Sequence, residues 1–77
     1  MKESLGMRIK LARTRRGLNQ AGLARAIGIS KNSMNQIERD LSNPAFMWVQ
    51  KIADTLNVSL DYLGGRKDED TIASTAA

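Results

Sequence analysis

The chain has 77 residues, which leaves room for one small domain and not for a second hydrophobic core. Apolar residues make up 42% of the sequence and charged residues 26%, a balance typical of a globular domain and not of a disordered chain. With no Cys and no His, a disulfide scaffold, thiolate metal sites and the commonest general base are excluded. We therefore expect no metal, no cofactor and no enzymatic activity.

The distribution of charge and of apolar residues also limits the possible partners. Residues 1–39 hold nine Lys and Arg and two acids, a balance of +7, whereas residues 40–77 have a balance of −3. A basic half favours a polyanionic partner, although a basic solvated helix face is an alternative. The longest apolar run, residues 45–49, is far shorter than the roughly 20 residues that span a bilayer. No apolar stretch follows Lys2 and Glu3, so the sequence predicts a cytoplasmic protein without a membrane partner.

The sequence has the periodicity of helices throughout, and strand signals are nearly absent. Leu5, Ile9 and Ala12 recur at i, i+4 and i+7, which predicts a first helix over residues 4–16 that ends at Gly17. Three later segments share one start signal, a small polar residue flanked by an apolar pair, as in an N-cap with a hydrophobic staple. They are Leu18-Asn19…Leu23, Ile29-Ser30…Met34 and Val58-Ser59…Leu63. These signals predict helices at 20–27, 31–40 and 60–63.

A fourth helix is predicted over residues 45–56. An apolar stripe on it is expected to face the core, and it consists of Phe46, Val49, Ile52, Ala53 and Leu56. Pro44 suits the first turn of this helix, and Ala45 is an alternative, weak cap. Trp48 lies on the flank of the stripe, either as a filler at the edge of the core or as a dimer contact, and Met47 points outward. After Leu63, residues 65–77 are interpreted as a flexible tail or linker following a domain of residues 1–64.

The helices at 20–27 and 31–40 are separated by Gly28-Ile29-Ser30, which indicates a helix-turn-helix. The second of these helices has two unlike faces. Its small and apolar face carries Ser33, Met34, Ile37 and Leu41, whereas its opposite face has only amides and cations, namely Lys31, Asn32, Asn35, Gln36 and Arg39. Asn and Gln can form paired hydrogen bonds with adenine, and Lys can bond guanine.

The sequence resembles the lambdoid repressor and Cro family, the XRE-type helix-turn-helix, over about residues 5–63. The similarity is carried by Gly17-Leu18-Asn19-Gln20-Ala21-Gly22-Leu23-Ala24, Ile27-Gly28-Ile29-Ser30, Ile37-Glu38-Arg39, Asn43-Pro44, Ile52-Ala53 and Leu56-Asn57-Val58-Ser59-Leu60-Asp61-Tyr62-Leu63. The resemblance implies an all-α, compact five-helix domain. Its second helix would cross the DNA backbone and its third would enter the major groove, from each subunit of a homodimer on a near-palindromic operator.

The resemblance also implies the roles of individual residues. Base reading falls to Lys31, Asn32 and Gln36, with assistance from Asn35. Phosphate binding falls to Gln20 at the start of the second helix and to Arg39, Ser42 and Asn43 beyond the third, while Asn19 caps the second helix and also reaches phosphate. Arg13 and Glu38 match a structural ion pair between the first and third helices. One departure is Gly22, which stands where relatives often have a Glu that completes a capping box.

These observations predict a sequence-specific, DNA-binding transcriptional regulator, a repressor that binds its double-stranded operator as a dimer. The alternative is an antitoxin-like module that neutralises a protein partner and binds DNA only secondarily. An antitoxin ordinarily needs an apolar segment beyond its DNA-binding domain, and the tail offers only Ile72 as a sizeable apolar residue. An enzyme is the weakest hypothesis, because the sequence has no phosphate-cradling glycine loop and no cluster of metal ligands.

Overall fold

The structure, a computed structural model, describes residues 3–65. Within that range the chain forms five helices and no strand, which confirms the all-α prediction. In chain order they are α1 (Leu5–Arg15), α2 (Gln20–Ile27), α3 (Lys31–Glu38), α4 (Phe46–Leu56) and α5 (Leu60–Leu63). None of these helices is long and apolar enough to cross a membrane. Residues 66–77, which make up most of the predicted tail, lie outside the described part of the chain.

Each of the three N-caps predicted with a hydrophobic staple forms its hydrogen bond. Asn19, Ser30 and Ser59 accept from the backbone N–H three residues further on, at 2.7, 3.0 and 3.0 Å respectively. Each bond satisfies a backbone N–H that has no partner within its own helix. Gly28 ends α2 in the left-handed region with φ of 87°, which a residue with a side chain rarely adopts. The caps and Gly28 therefore determine where α2 stops and where α3 starts.

One hydrophobic core lies between the helices. α2 packs against α3 and α4, and α1 packs against α3, α4 and α5. Thirteen buried apolar residues form the core: Ile9, Ala12, Leu23, Ala24, Ile27, Met34, Ile37, Ile52, Ala53, Leu56, Val58, Tyr62 and Leu63. Every described helix contributes at least one of them. Because Met34 and Ile37 of α3 are among them, the opposite face of α3 is turned toward solvent.

The third helix ends two residues earlier than predicted. It stops at Glu38, and the prediction that it continues to residue 40 is wrong. Asp40 adopts a left-handed conformation with φ of 59°, and the N–H of Leu41 donates to the carbonyl of Gln36 at 2.9 Å. This is the hydrogen-bond pattern of a Schellman motif, which closes a helix. Leu41 is consequently 65% exposed, so its predicted place on the apolar face is also wrong.

The start of the fourth helix decides between two predicted alternatives and corrects a separate prediction for Phe46. Ala45 occupies the N-cap position without a side-chain hydrogen bond, as in the weak-cap alternative, and Pro44 precedes the helix. Phe46 was expected in the core stripe, but it is 64% exposed. The first turn of α4 lies at the rim of the core, where the neighbouring Leu60 is itself exposed. The rest of the stripe faces inward, with Ile52, Ala53 and Leu56 buried and Val49 partly buried.

The other two predictions for α4 agree with the structure. Trp48 is partly buried and packs against the core, as expected of a filler at its edge. The Nζ atom of Lys51 lies 4.9 Å from the centre of the Trp48 ring, within the range of a cation–π contact. Met47 points outward and is 52% exposed.

A contact that the sequence did not predict joins the start of α1 to the end of α3. The N–H of Gly6 donates to Asp40 Oδ1 at 3.0 Å, and the Ser4 hydroxyl donates to Asp40 Oδ2. A Cβ atom on Gly6 would lie 2.5 Å from the carbonyl oxygens of Ile37 and Glu38, closer than carbon and oxygen can approach. A residue without a side chain is therefore required where the two helices meet.

A buried arginine ties α1 to α5. Arg8 is 1% exposed, and its Nη1 atom donates to the carbonyl of Tyr62 at 3.2 Å. Its guanidinium carbon lies 4.9 Å from the centre of the Tyr62 ring, and Nη2 lies 3.5 Å from Glu3 Oε1. No sequence motif marks this residue as buried. The available signal was its position beside the apolar stripe of Leu5, Ile9 and Ala12 on the helical wheel.

Candidate nucleic-acid interface

The two faces of α3 differ as the periodicity predicted. Met34, Ile37 and Glu38 are buried on the inner side, whereas Lys31, Asn32 and Gln36 are exposed on the outer side. The single acidic residue of α3 lies inside, whereas Ser33, which was predicted on the small and apolar face, is exposed, so that prediction is wrong. The exposed surface of the helix therefore bears one cation, amides and one hydroxyl. Amides both donate and accept hydrogen bonds, and a cation attracts phosphate. This face therefore carries groups able to bond base edges and to attract a phosphate.

The start of α2 lies beside the start of α3. Gln20 is partly buried, and it lines one open depression together with Lys31, Asn32 and Asn35. The structure thus brings a residue predicted to bind phosphate next to three residues predicted to contact bases. Asn19 is exposed and uses its Oδ1 atom to cap α2, which leaves its amide group at the surface.

Arg13 and Glu38 form an ion pair beneath this surface. Arg13 Nε lies 2.7 Å from Glu38 Oε2, and Arg13 Nη2 lies 3.0 Å from Glu38 Oε1, a paired geometry between a planar guanidinium and a carboxylate. The side chain of Arg13 is 11% exposed and that of Glu38 is 2% exposed. Arg13 also donates to the carbonyl of Leu18 at 2.9 Å, so the pair joins α1, α3 and the loop before α2.

Two further hydrogen bonds connect the ion pair with the surface. Gln20 Nε2 donates to Glu38 Oε1 at 3.1 Å, and Asn35 Nδ2 donates to Gln20 Oε1 at 3.4 Å. Sequence reasoning missed both bonds, because Gln20 is separated by 18 and 15 residues from these two partners and no local pattern links them. Gln20 and Asn35 are therefore not independent surface amides.

The segment after α3 carries the other residues predicted to contact phosphate. Arg39, Ser42 and Asn43 are all exposed, and the bonds of Asp40 to α1 hold the start of the segment. Lys10, which the sequence analysis did not single out, is exposed on α1 and lines the same depression as Arg39 and Gln20. The sequence feature that could have indicated Lys10 is its position on the polar side of the α1 helical wheel. Lys10 places a second cation near Arg39, in a depression that the acidic residues Glu38 and Asp40 also line.

The surface formed by α3 and the neighbouring segments carries amides and cations, which are groups suited to binding through hydrogen bonds and charge. Within residues 3–65, no three of His, Cys, Asp and Glu come together as potential metal ligands. The outer surface of α3 presents to solvent hydrogen-bonding groups of both kinds, donors and acceptors, together with the charge of Lys31.

Comparisons with known proteins agree with this geometry. The helix-turn-helix family profile matches residues 9–63. The transcriptional regulator SinR of Bacillus licheniformis is 36% identical over 66 residues, which cover 84% of this chain and 60% of SinR. The crystal structure of the P22 c2 repressor with a synthetic operator superposes with a TM-score of 0.79 at 27% identity, covering 86% of this chain and 100% of that one. The structure of SinR in complex with DNA has a TM-score of 0.72 at 35% identity, covering 77% and 95%.

The chain spans about half to three fifths of the length of the curated relatives SinR and ImmR. The match lies in the part that contains all of α2 to α5, including the helix-turn-helix itself. The family consists of DNA-binding domains of transcriptional regulators and is not a family of enzymes. Because the profile matches most of the chain and the superposed structures share its helices, the chain belongs to the helix-turn-helix family of repressor-like domains.

Proposed function

We propose that this protein is a sequence-specific DNA-binding transcriptional regulator that acts as a repressor. The observation that carries the proposal is the outer face of α3, where Lys31, Asn32 and Gln36 are exposed and the single acid of the helix is buried. The similar P22 c2 repressor and SinR are described in complex with DNA, which supports the same partner for this chain.

In this proposal α3 enters the major groove of the duplex. Gln36 and Asn32 form hydrogen bonds with purine edges, and Lys31 bonds a guanine or a nearby phosphate. Asn35 assists from its position beside Gln20. The major groove is wide enough for one helix and presents a different hydrogen-bonding pattern for each base pair, so a few amides suffice to select a sequence.

Phosphate contacts on both sides of α3 hold it in register. Gln20 and Asn19 bind the backbone on one side, where the positive end of the α2 helix dipole favours the same anion. Arg39, Ser42 and Asn43 bind it on the other side. Such contacts carry no sequence information of their own, but they orient the reading helix.

The homodimer is part of the proposal. Two copies related by a two-fold axis would place two α3 helices in successive major grooves, so the operator would be a near-palindrome. A cytoplasmic location is also part of the proposal, because the protein must reach its DNA. The proposal includes no catalytic role and no cofactor.

Selection of bound duplexes from random DNA, at one fixed salt concentration, tests the function. The expected result is an enriched inverted repeat. Enrichment of a single half-site would support sequence-specific DNA binding and contradict the proposed homodimer. No enrichment would contradict the proposal and favour the antitoxin-like interaction module instead.

A further inference from the structure

A continuous series of hydrogen bonds runs from the inside of the domain to the surface proposed to face DNA. Arg13 pairs with Glu38, Glu38 accepts from Gln20, and Gln20 accepts from Asn35. We call the four residues the relay. It begins at the Arg13–Glu38 ion pair, whose carboxylate side chain is 2% exposed, and ends at Asn35 on α3.

The chemistry of these groups determines the orientation of the Gln20 amide. An ionised carboxylate can only accept hydrogen bonds, so the end of Gln20 that faces Glu38 must be its NH2 group. The carbonyl end then points to Asn35, which can donate to it. A freely exposed glutamine has no such preference, because its two ends interchange by rotation about one bond.

The relay leaves one hydrogen atom of Gln20 Nε2 uncommitted. The NH2 group has two, and Glu38 Oε1 takes one of them at 3.1 Å. The remaining N–H can donate to a phosphate oxygen. Preorganised donors lose less rotamer freedom when they bind than donors on a mobile side chain, so this arrangement favours binding without adding a contact.

We propose that Glu38 and Asn35 are positioning residues for Gln20, and that Asn35 assists DNA binding through Gln20 and not by reading a base. The inference rests on the proposed function, since it explains how one of its phosphate contacts is made. Asn35 points one of its own donors at Gln20 and is partly buried, whereas the base-reading residues Asn32 and Gln36 are exposed.

Affinity measurements on Asn35→Ala, Gln20→Ala and the double variant test the proposal. The probes are a duplex that the wild-type chain selects from random DNA and an unrelated duplex, both at the same salt concentration. Asn35→Ala should weaken binding to both duplexes by the same factor, about 2- to 10-fold, the range of one neutral hydrogen bond. In the Gln20→Ala background, Asn35→Ala should have no further effect.

Asn32→Ala is the matched control, because it removes the same amide from the same helix at an exposed position. It should relax the preference for one base pair in each half-site, which Asn35→Ala should not do. If Asn35→Ala also relaxes base preference, or if its loss multiplies that of Gln20→Ala, Asn35 acts independently and the proposal is overturned.

A measurement without DNA tests the relay itself. The chain has three glutamines, and Gln36 and Gln50 are exposed, so they serve as internal controls for Gln20. In the NMR spectrum of the free protein, one Hε2 proton of Gln20 should exchange with water more slowly than those of the two controls. Equal exchange for all three would show that Glu38 does not hold Gln20, which also overturns the proposal.

The two levels of inference fail in different ways. If the wild-type chain binds no duplex, the proposed function fails, and the positioning role fails with it. If the wild-type chain binds its selected duplex but the losses at Asn35 and Gln20 are independent, the function stands and the positioning role alone is overturned.

Discussion

The two sides of α3 have different tasks, although they belong to one helix of eight residues. On the inner side Met34 and Ile37 fill the core, so a change there acts on the free energy of unfolding. On the outer side Asn32 and Gln36 are exposed, so in the proposed function a change there is expected to act on DNA binding. The relay is the place where the two sides meet, because Glu38 is buried with Arg13 and also contacts Gln20.

We therefore expect stability and recognition to respond to separate substitutions at most positions of α3, and to respond together at the relay.

The largest effect is expected from salt on the outer surface as a whole. If a dimer neutralises about 6–10 phosphates with its Lys and Arg side chains, affinity should fall by roughly 10³–10⁵ between about 50 and 200 mM salt, because counterions condensed on the DNA are released. A salt titration of binding to duplex DNA measures this. Thermal unfolding over the same salt range is the control, and it should change far less. A nearly salt-independent affinity would contradict the proposed contacts with the backbone.

The next effect is expected where the two sides meet. Removing either Arg13 or Glu38 alone leaves a charge without its partner, at a cost of about 3–5 kcal/mol for a well-buried pair. A domain of this size has only about 5 kcal/mol of stability, so either variant is expected to be largely unfolded. Replacing both residues with Met should cost less than the sum of the two single changes.

Urea unfolding of the wild type, the two single variants and the double variant provides the measurement, with all four in the same concentration of a stabilising osmolyte so that the single variants start folded. The coupling free energy follows from the three losses in a double-mutant cycle. Additive losses would show that the 2.7 Å contact between Arg13 Nε and Glu38 Oε2 contributes no interaction energy.

The inner side of α3 is tested by truncating Met34. Its side chain is fully buried, so Met34→Ala should reduce the free energy of unfolding by about 2–5 kcal/mol through lost burial and the cavity it leaves. Met47→Ala is the matched control, because Met47 is 52% exposed and should change stability by less than about 0.5 kcal/mol. At a temperature where Met34→Ala remains folded, its preference among DNA sequences should be that of the wild type. An altered preference would mean that the core and the reading surface are not separate.

The outer side is tested by comparing Gln36→Ala with Gln20→Ala. Gln36→Ala should cost about 1–3 kcal/mol at the selected sequence and relax one position in each half-site, with little change on unrelated DNA. Gln20→Ala should weaken specific and non-specific binding by similar factors, because phosphate is the same at every base pair.

The ratio of specific to non-specific affinity is the decisive quantity for both variants, measured at one salt concentration. Circular dichroism should first show that both variants are folded. If Gln36→Ala leaves the ratio unchanged while Gln20→Ala abolishes it, α3 is not the reading helix and the site assignments are wrong.

The smallest effect is expected far from both sides of α3, at the start of α4. Ala45 occupies an N-cap position with no side-chain hydrogen bond, so Ala45→Ser should stabilise the domain by about 0.5–1 kcal/mol. Ser59→Ala is the reverse change at an existing cap and should destabilise by a similar amount. Thermal unfolding measures both, and neither should alter the ratio of specific to non-specific affinity. A destabilised Ala45→Ser variant would show that the first turn of α4 does not accept a cap.

Much of this protein could be predicted from its sequence because the signals are local. An N-cap such as Asn19 or Ser30 acts on an N–H three residues away, and the two faces of α3 follow from the helical repeat. The positions of all five helices, apart from the end of α3, could therefore be predicted from the sequence. So could the exposure of Lys31, Asn32 and Gln36. The Arg13–Glu38 pair was accessible only through the family resemblance, because the two residues are 25 positions apart.

What the tertiary structure alone decided depends on residues that are distant in the sequence. The apolar repeat of α3 continues past Glu38 in the sequence, but the helix ends at Glu38. Asp40 has a left-handed backbone conformation there, and its carboxylate is bonded to the start of α1. Phe46 matched an apolar stripe, yet a stripe cannot reveal where the core ends along a helix. The orientation of the Gln20 amide follows from Glu38, 18 residues away, because only a folded chain brings an acceptor-only carboxylate against one end of that side chain.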